Sequence, residues 1–251
     1  KFVTKKKFVD QKLDKIDLII DLQSKLRNTI ILSKIPHDHF YSSTLNFKFC
    51  TKKAEYSPGE HLKNLSNFLN TNIRITNFDV SNLDEKYRTE AKRLLPDKNY
   101  IGFSLTQGNV YRKKEWPLDK VVKLSEELIN NNKIPVFLIE KKYKELKNKI
   151  KKLIPSALFP EHETSLDSPA LVTCLGKRLD LAITIDNGVM HMLSLSKVPI
   201  ISLFGPTDSE KFAPTYKDSK VLDSKKIYNS KNVSDITVED VLQAAKQFVN
   251  F

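Results

Sequence analysis

At 251 residues the chain has room for one large domain or two small ones, and 40% hydrophobic with 29% charged residues excludes both disorder and a fibrous repeat. The longest unbroken apolar run, Val136-Phe137-Leu138-Ile139, falls far short of the about 20 residues of a membrane-spanning helix, and Cys50 and Cys174 stand apart without metal spacing, which excludes a disulfide framework or zinc site and predicts a reducing, cytoplasmic setting. A net charge of +12 raises nucleic acid as a partner, but the six arginines are scattered and no aromatic and basic interleaving occurs, so no nucleic acid is expected.

The basic stretch from Lys1 to Lys15 has no apolar core or small-residue cleavage site, so no signal peptide is expected. Asp17 to Gln23 (DLIIDLQ) reads as a strand with none before it to pair with, and residue 1 is not Met; the expectation is a fragment. Ser57-Pro58-Gly59-Glu60 reads as a capping box whose helix runs through Leu62, Leu65, Phe68 and Leu69 to end near Asn70. The polar stretch from Phe78 to Asn99 reads as a linker, which divides the chain into 1–95 and 96–251.

Beyond it strands and helices alternate. Tyr100 to Leu105, Ile134 to Ile139, Leu181 to Asp186 and Pro199 to Phe204 are predicted strands; Pro117 to Asn130, a segment opened by Ser168-Pro169, and Gly188 to Ser196 are predicted helices. Thr237-Val238-Glu239-Asp240 caps a last helix through Val249. Lys141 to Leu153 sets seven lysines against Glu145, with Tyr143, Leu146, Ile150 and Leu153 as one apolar face. Such a helix is either a solvated face or a contact for an anionic membrane. The alternation predicts a parallel α/β, Rossmann-like domain over 96–251.

In such a sheet, ligands bind beyond the carboxyl ends of the strands. Three segments lie there: Ser104 to Gly108 with Arg112 to Pro117, Asp186 to His191, and Gly205 to Asp208. The second carries the strongest argument. A strand running through Asp186-Asn187-Gly188 into a helix leaves helical N–H groups free for a phosphate. Gly188 admits the ligand to the backbone, His191 can bond the same anion, and Asp186 can cap the free N–H groups. By chemistry alone, a packed core histidine and an ordinary cap explain this segment as well, and Lys114 reads equally as a surface lysine or a phosphate-binding charge.

Taken together and in order, these pieces resemble glycosyltransferase family 9, the lipopolysaccharide heptosyltransferases. Asp17 to Gln23 resembles that family's Asp-hydrophobic-Ile-Asp-Leu-Gln strand, and Lys25-Leu26-Arg27 the lysine or glycine, leucine and basic residue that follow it. Lys114-Glu115-Trp116-Pro117 resembles its Lys-x-Trp-Pro element, Asp186 to His191 its Asp-(Ser/Thr)-Gly-x-x-His element, and Leu203-Phe204-Gly205-Pro206-Thr207 its Phe-Gly-Pro-Thr element.

The resemblance implies a GT-B fold of two Rossmann-like domains with parallel sheets, the first incomplete here, and an inverting transfer of a sugar to a lipopolysaccharide core acceptor on lipid A. The expected donor is a nucleotide-sugar, heptose on ADP, with no cofactor or metal. It further implies that Lys114 contacts the donor diphosphate, that Asp186, Asn187, Gly188 and His191 hold the phosphate and sugar end, that Thr106 supplies a hydroxyl, and that Glu145, in competition with Glu140, holds the ribose. Asn187 departs from the family's Ser or Thr but can still accept from a helix N–H. The family's Gly-Asp turn, whose Asp is the general base, has no counterpart after Lys1, so the base is expected before it and this chain alone is expected to be inactive. Peripheral contact with the anionic inner membrane is a further expectation. The rivals are another GT-B nucleotide-sugar enzyme and a non-catalytic basic protein that binds nucleic acid.

Overall fold

The computed structural model describes residues 14–56, 60–74, 78–97, 99–107, 111 and 113–250. The predicted capping box at Ser57 to Gly59 and the loop positions Gly108 and Arg112 lie outside them. The chain divides into two units, Lys1–Asn77 and Phe78–Phe251.

The first unit is built on two parallel strands, β1 (Ile16–Asp21) and β2 (His37–Ser42), joined through helix α1 (Leu26–Ser33). Successive residues of a strand face opposite sides, so Phe40 packs with Ile19 and Ile35 while Tyr41 packs with Phe47 and Phe68. Helix α2 (His61–Leu69) ends where the sequence predicts, because Asn70 takes the left-handed conformation, φ 50°, that closes a helix. At the carboxyl ends of the two strands the buried Asp21 carboxylate gathers four donors. Gln23 N–H (3.1 Å) and Ser24 N–H (3.2 Å) bond Oδ1, and the hydroxyls of Thr29 (2.5 Å) and Ser42 (3.1 Å) bond Oδ2.

The stretch predicted as a linker is instead the start of the second unit. Asp79 caps a short 3-10 turn (Val80–Asn82), and Asp84 caps helix α3 (Glu85–Leu94) by accepting from Lys86 N–H at 3.1 Å. Its outer face is charged, so the composition reads as polar. Only Val80, Ala91 and Leu95 are buried along it, and they join the apolar cluster of this unit. The Arg178 guanidinium ties down the helix exit by donating to the carbonyls of Leu95, Pro96 and Asp97. The division therefore falls between 77 and 78, not at 95 and 96.

Five parallel strands form the second unit: β3 (Tyr100–Ser104), β4 (Ile134–Phe137), β5 (Leu181–Ile185), β6 (Ile200–Phe204) and β7 (Ser219–Asp223), in the spatial order β4-β3-β5-β6-β7. Between them run α4 (Leu118–Asn130), α5 (Lys144–Leu153), α6 (Pro169–Gly176), α7 (Gly188–Leu195) and α8 (Ser209–Phe212), and α9 (Ser224–Tyr228) and α10 (Val238–Ala245) follow the last strand. The strands are apolar throughout because both faces are covered. On one side Ile101, Phe103, Ile183 and Ile201 meet α4, α5 and α10; on the other, Ala182, Ile200 and Phe204 meet α3, α6 and α7. Helix α10 begins at the predicted capping box, with both reciprocal bonds formed between Thr237 and Asp240, but stops at Ala245, short of Val249.

The order places the first strand of this unit beside the second on one side and the third on the other. Chain connections therefore leave in opposite directions from β3 and β5, which opens a crevice at their carboxyl ends, the standard ligand position in such sheets.

Candidate functional site

Two loops form the lips of that crevice. One follows β3 and carries Thr106 and Lys114; the other is the junction of β5 with α7 and carries Asp186, Asn187 and Gly188. The first lip is anchored from below. Trp116 is buried and its indole N–H donates to the Ile236 carbonyl at 2.9 Å, which fixes the chain just before α4 begins. Lys113 takes a left-handed turn, φ 46°, and Lys114 N–H donates to Gln107 Oε1 at 3.0 Å. With its backbone so placed, Lys114 reaches across to the second lip, where its ammonium bonds the Asp186 carboxylate and, at 3.2 Å, the Asp186 carbonyl. The two side chains are only 12% and 10% exposed.

Asp186 thus does not cap α7, as the sequence reading allowed. It is the buried residue directly after β5, and the cap falls one residue later. Asn187 is extended (φ −148°, ψ 177°), its Oδ1 accepts from Met190 N–H at 2.9 Å, and its Nδ2 donates to Ser104 Oγ at 2.9 Å and the Thr106 carbonyl at 3.0 Å. Gly188 is the first helical residue and is exposed. Among the described residues, a β-carbon built on it meets no atom within 4 Å beyond its chain neighbours and its own helix, so on their side the space before the helix N-terminus is open. His191 lies one turn further on, also exposed.

The structure therefore brings Thr106, Lys114, Asp186, Asn187 and Gly188 to one place. Glu145 is exposed in the first turn of α5, the helix that follows β4, and Glu140 pairs with Lys142 at 2.5 Å. On the far side of the crevice, after β6, Gly205 is required by close approach: a β-carbon there would sit 2.7 Å from Val233 N and 2.9 Å from the Lys231 carbonyl. Next to it the Thr207 hydroxyl is buried without a hydrogen-bond partner.

One polar residue at the strand ends escaped the sequence reading. Glu161 lies in a short 3-10 turn (Pro160–His162) brought beside β4 because Leu158 bridges to Val136. The apolar run Ala157-Leu158-Phe159 ahead of it is the signal that could have flagged it. Its Oε2 is buried and unpartnered, and burial, with Glu140 and Asp167 nearby and Lys141 opposing, pushes its carboxyl up to about 7. Between the ordinary glutamate value of 4.5 and about 7 the folded chain holds a proton that the unfolded chain has lost. Stability accordingly falls as pH rises through that window, and the full penalty is present above it. Glu161→Gln should raise stability at pH 8 by on the order of 3 kcal/mol and leave it unchanged at pH 4. Urea unfolding at the two pH values measures this, and an equal difference at both would refute the ionisation account.

A family model described as Glycosyltransferase family 9 (heptosyltransferase) matches residues 9–242. Among solved structures, a glycosyl transferase family 9 protein from Veillonella parvula superposes with a TM-score of 0.70 at 20% identity, covering 94% of this chain and 74% of that one. E. coli heptosyltransferase WaaC with ADP gives 0.66 at 16% identity, covering 94% and 74%. E. coli ADP-heptose lps heptosyltransferase II gives 0.63 at 15%, covering 96% and 78%. No curated protein sequence matches the chain. At these identities the superpositions establish the shared fold.

Proposed function

The chain belongs to glycosyltransferase family 9, and from that premise, a glycosyltransferase of GT-B fold, we propose that it moves heptose from an ADP-activated donor to a lipopolysaccharide core acceptor. The observation that carries the donor half is the crevice between β3 and β5, where a lysine ammonium meets an open helix N-terminus at the strand switch point. The relative WaaC is solved with ADP, the diphosphate that such a site would hold.

In this reading an acceptor hydroxyl oxygen bonds the anomeric carbon as the bond from that carbon to the diphosphate oxygen breaks. The electron pair leaves with the diphosphate, and a carboxylate base takes the hydroxyl proton. Lys114 and the first N–H groups of α7 stabilise the negative charge that grows on the leaving group, and His191 stands one turn away to bond the same end. Lys114 and these N–H groups supply positive charge of their own, so ADP should bind equally well with and without EDTA.

Gly188→Ala tests the site without disturbing the fold. The new methyl group meets no atom of the described residues outside its own helix and chain neighbours, and Ala restricts the unfolded chain more than Gly does, so the melting temperature should hold or rise. The methyl group enters the space in front of the helix, and ADP affinity should drop by about 10-fold, worth about 1.4 kcal/mol. Undiminished affinity by calorimetry would place the diphosphate elsewhere.

A membrane-lipid acceptor brings the protein to an anionic surface, and α5 exposes Lys144, Lys149 and Lys152 toward solvent. Each basic residue near such a surface contributes about 1 kcal/mol. Reversing these three to Glu should abolish preferential sedimentation with anionic over neutral vesicles. No preference in the parent would remove this contact from the proposal.

A further inference from the structure

Asn187 stands where the family element has Ser or Thr, and the hydrogen bonds of its amide can be counted in full. The side chain offers a carbonyl oxygen and two N–H hydrogens. Oδ1 accepts from Met190 N–H at 2.9 Å, which is the helix cap. Nδ2 donates to Ser104 Oγ at 2.9 Å and to the Thr106 carbonyl at 3.0 Å; the Ser104 carbonyl, at 3.5 Å, lies at the outer limit and can only share one of those hydrogens. Both hydrogens are therefore spent inside the protein. None is left for a phosphate oxygen, so the residue does not act as a donor-binding group.

We infer that Asn187 is a positioning residue that ties the N-terminus of α7 to the loop after β3, holding Thr106, Lys114 and Gly188 in register for the donor diphosphate. This deepens the proposed donor site and rests on that reading for the identity of the ligand.

A second link crosses the same crevice, but it is of another kind. The Lys114 ammonium has three hydrogens; it meets the carboxylate and the carbonyl of Asp186, and a diphosphate would compete for the same cation. The ionic link must therefore be shared once the nucleotide binds. The amide link touches no ligand and stays as it is. A Ser or Thr hydroxyl could cap the helix with its oxygen, yet its single hydrogen could serve only one of the two acceptors on the opposite lip. The amide at this position thus adds a connection that the smaller side chain cannot complete, and a lip fixed before binding spares the ordering cost of closing it.

Two substitutions separate the tie from the cap. Asn187→Ser keeps a good N-cap, since Ser and Asn rank alike there, and Ser104→Ala removes one acceptor of the tie without touching the cap. In the ligand-free protein, amide hydrogen exchange over residues 104–107 should quicken at least 5-fold in both variants, while the thermal midpoint stays within about 3 °C of the parent. For ADP, Asn187→Ser, which removes both bonds of the tie, should bind roughly 5-fold more weakly, Ser104→Ala, which removes one of them, should lose less, and the double variant should bind scarcely more weakly than Asn187→Ser alone, because no further bond of the tie is left to lose.

Unchanged exchange in Asn187→Ser would overturn the inference. So would fully additive losses of ADP affinity, which would mean that Asn187 meets the nucleotide independently of Ser104. A midpoint lowered by 10 °C or more in both variants would overturn it too, by showing that the amide holds up the fold. If the parent bound no ADP, the nucleotide reading would fall, and the exchange measurement would still decide the tie.

Discussion

Lys114→Ala should lose ADP binding and stability together. A charge-assisted contact to the diphosphate contributes about 1.5–3 kcal/mol, or roughly 10- to 100-fold in affinity. The loss should fall at the upper end, because the variant also strands the Asp186 carboxylate, 10% exposed, where the diphosphate must sit. Removing one partner of a buried ion pair costs about 3–5 kcal/mol, so the urea midpoint of the second unit should fall markedly. Adding Asp186→Asn should restore much of that stability and none of the cation's contribution to binding. Calorimetry and urea unfolding on the parent, the single and the double variant separate the two effects. Parental ADP affinity in Lys114→Ala would take the diphosphate out of this crevice.

Asp21→Ala should be the most damaging single change in the first unit. Four donors converge on that carboxylate, two from the turn after β1 and two hydroxyls from α1 and β2. Thr29 extends the network to Thr44 at 2.6 Å, so truncation leaves several buried hydroxyls without their shared acceptor. Hydrogen bonds to a charged group contribute about 1.5–3 kcal/mol each, and with partial replacement by water we expect a loss of about 3 kcal/mol or more. Asp21→Asn should be milder, since its oxygen still serves the two turn N–H groups and its NH₂ can donate to the hydroxyls. Limited proteolysis within residues 14–74 reads the effect directly; an Asp21→Ala chain as resistant as the parent would show that the network is dispensable.

Sequence carried the parts of this structure that rest on local chemistry. The capping box at Thr237, the helix end at Asn70 and the strand-to-helix junction at Asp186-Asn187-Gly188 are written in adjacent residues, and all three form. What escaped depends on partners far along the chain. Helix α3 hides its role because a stripe of a few small and apolar residues suffices to seat it on α6. Strand β7 went unread because it lies at the sheet edge and only its last residues, Leu222 and Asp223, are buried, so no apolar run marks it. The cap itself was displaced by one position: a carboxylate and an amide side by side are equally good candidates by propensity, and only the approach of Lys114 from 72 residues away settles which of them turns toward the helix. Glu161 belongs to the same class, since the bridge between Leu158 and Val136 is what buries it.

The anchoring of Trp116 under the first lip has an optical consequence. It is the only tryptophan in the chain, it is buried within the second unit, and it sits two residues from Lys114. Emission excited at the red edge of the ultraviolet band, where tyrosine does not absorb, therefore comes from one place. Its wavelength follows the integrity of the second unit, where it is buried, so fluorescence set against circular dichroism, which averages over the whole chain, reports on that unit in an unlabelled sample. A change in its intensity on adding nucleotide would serve as a titration signal that needs no dye.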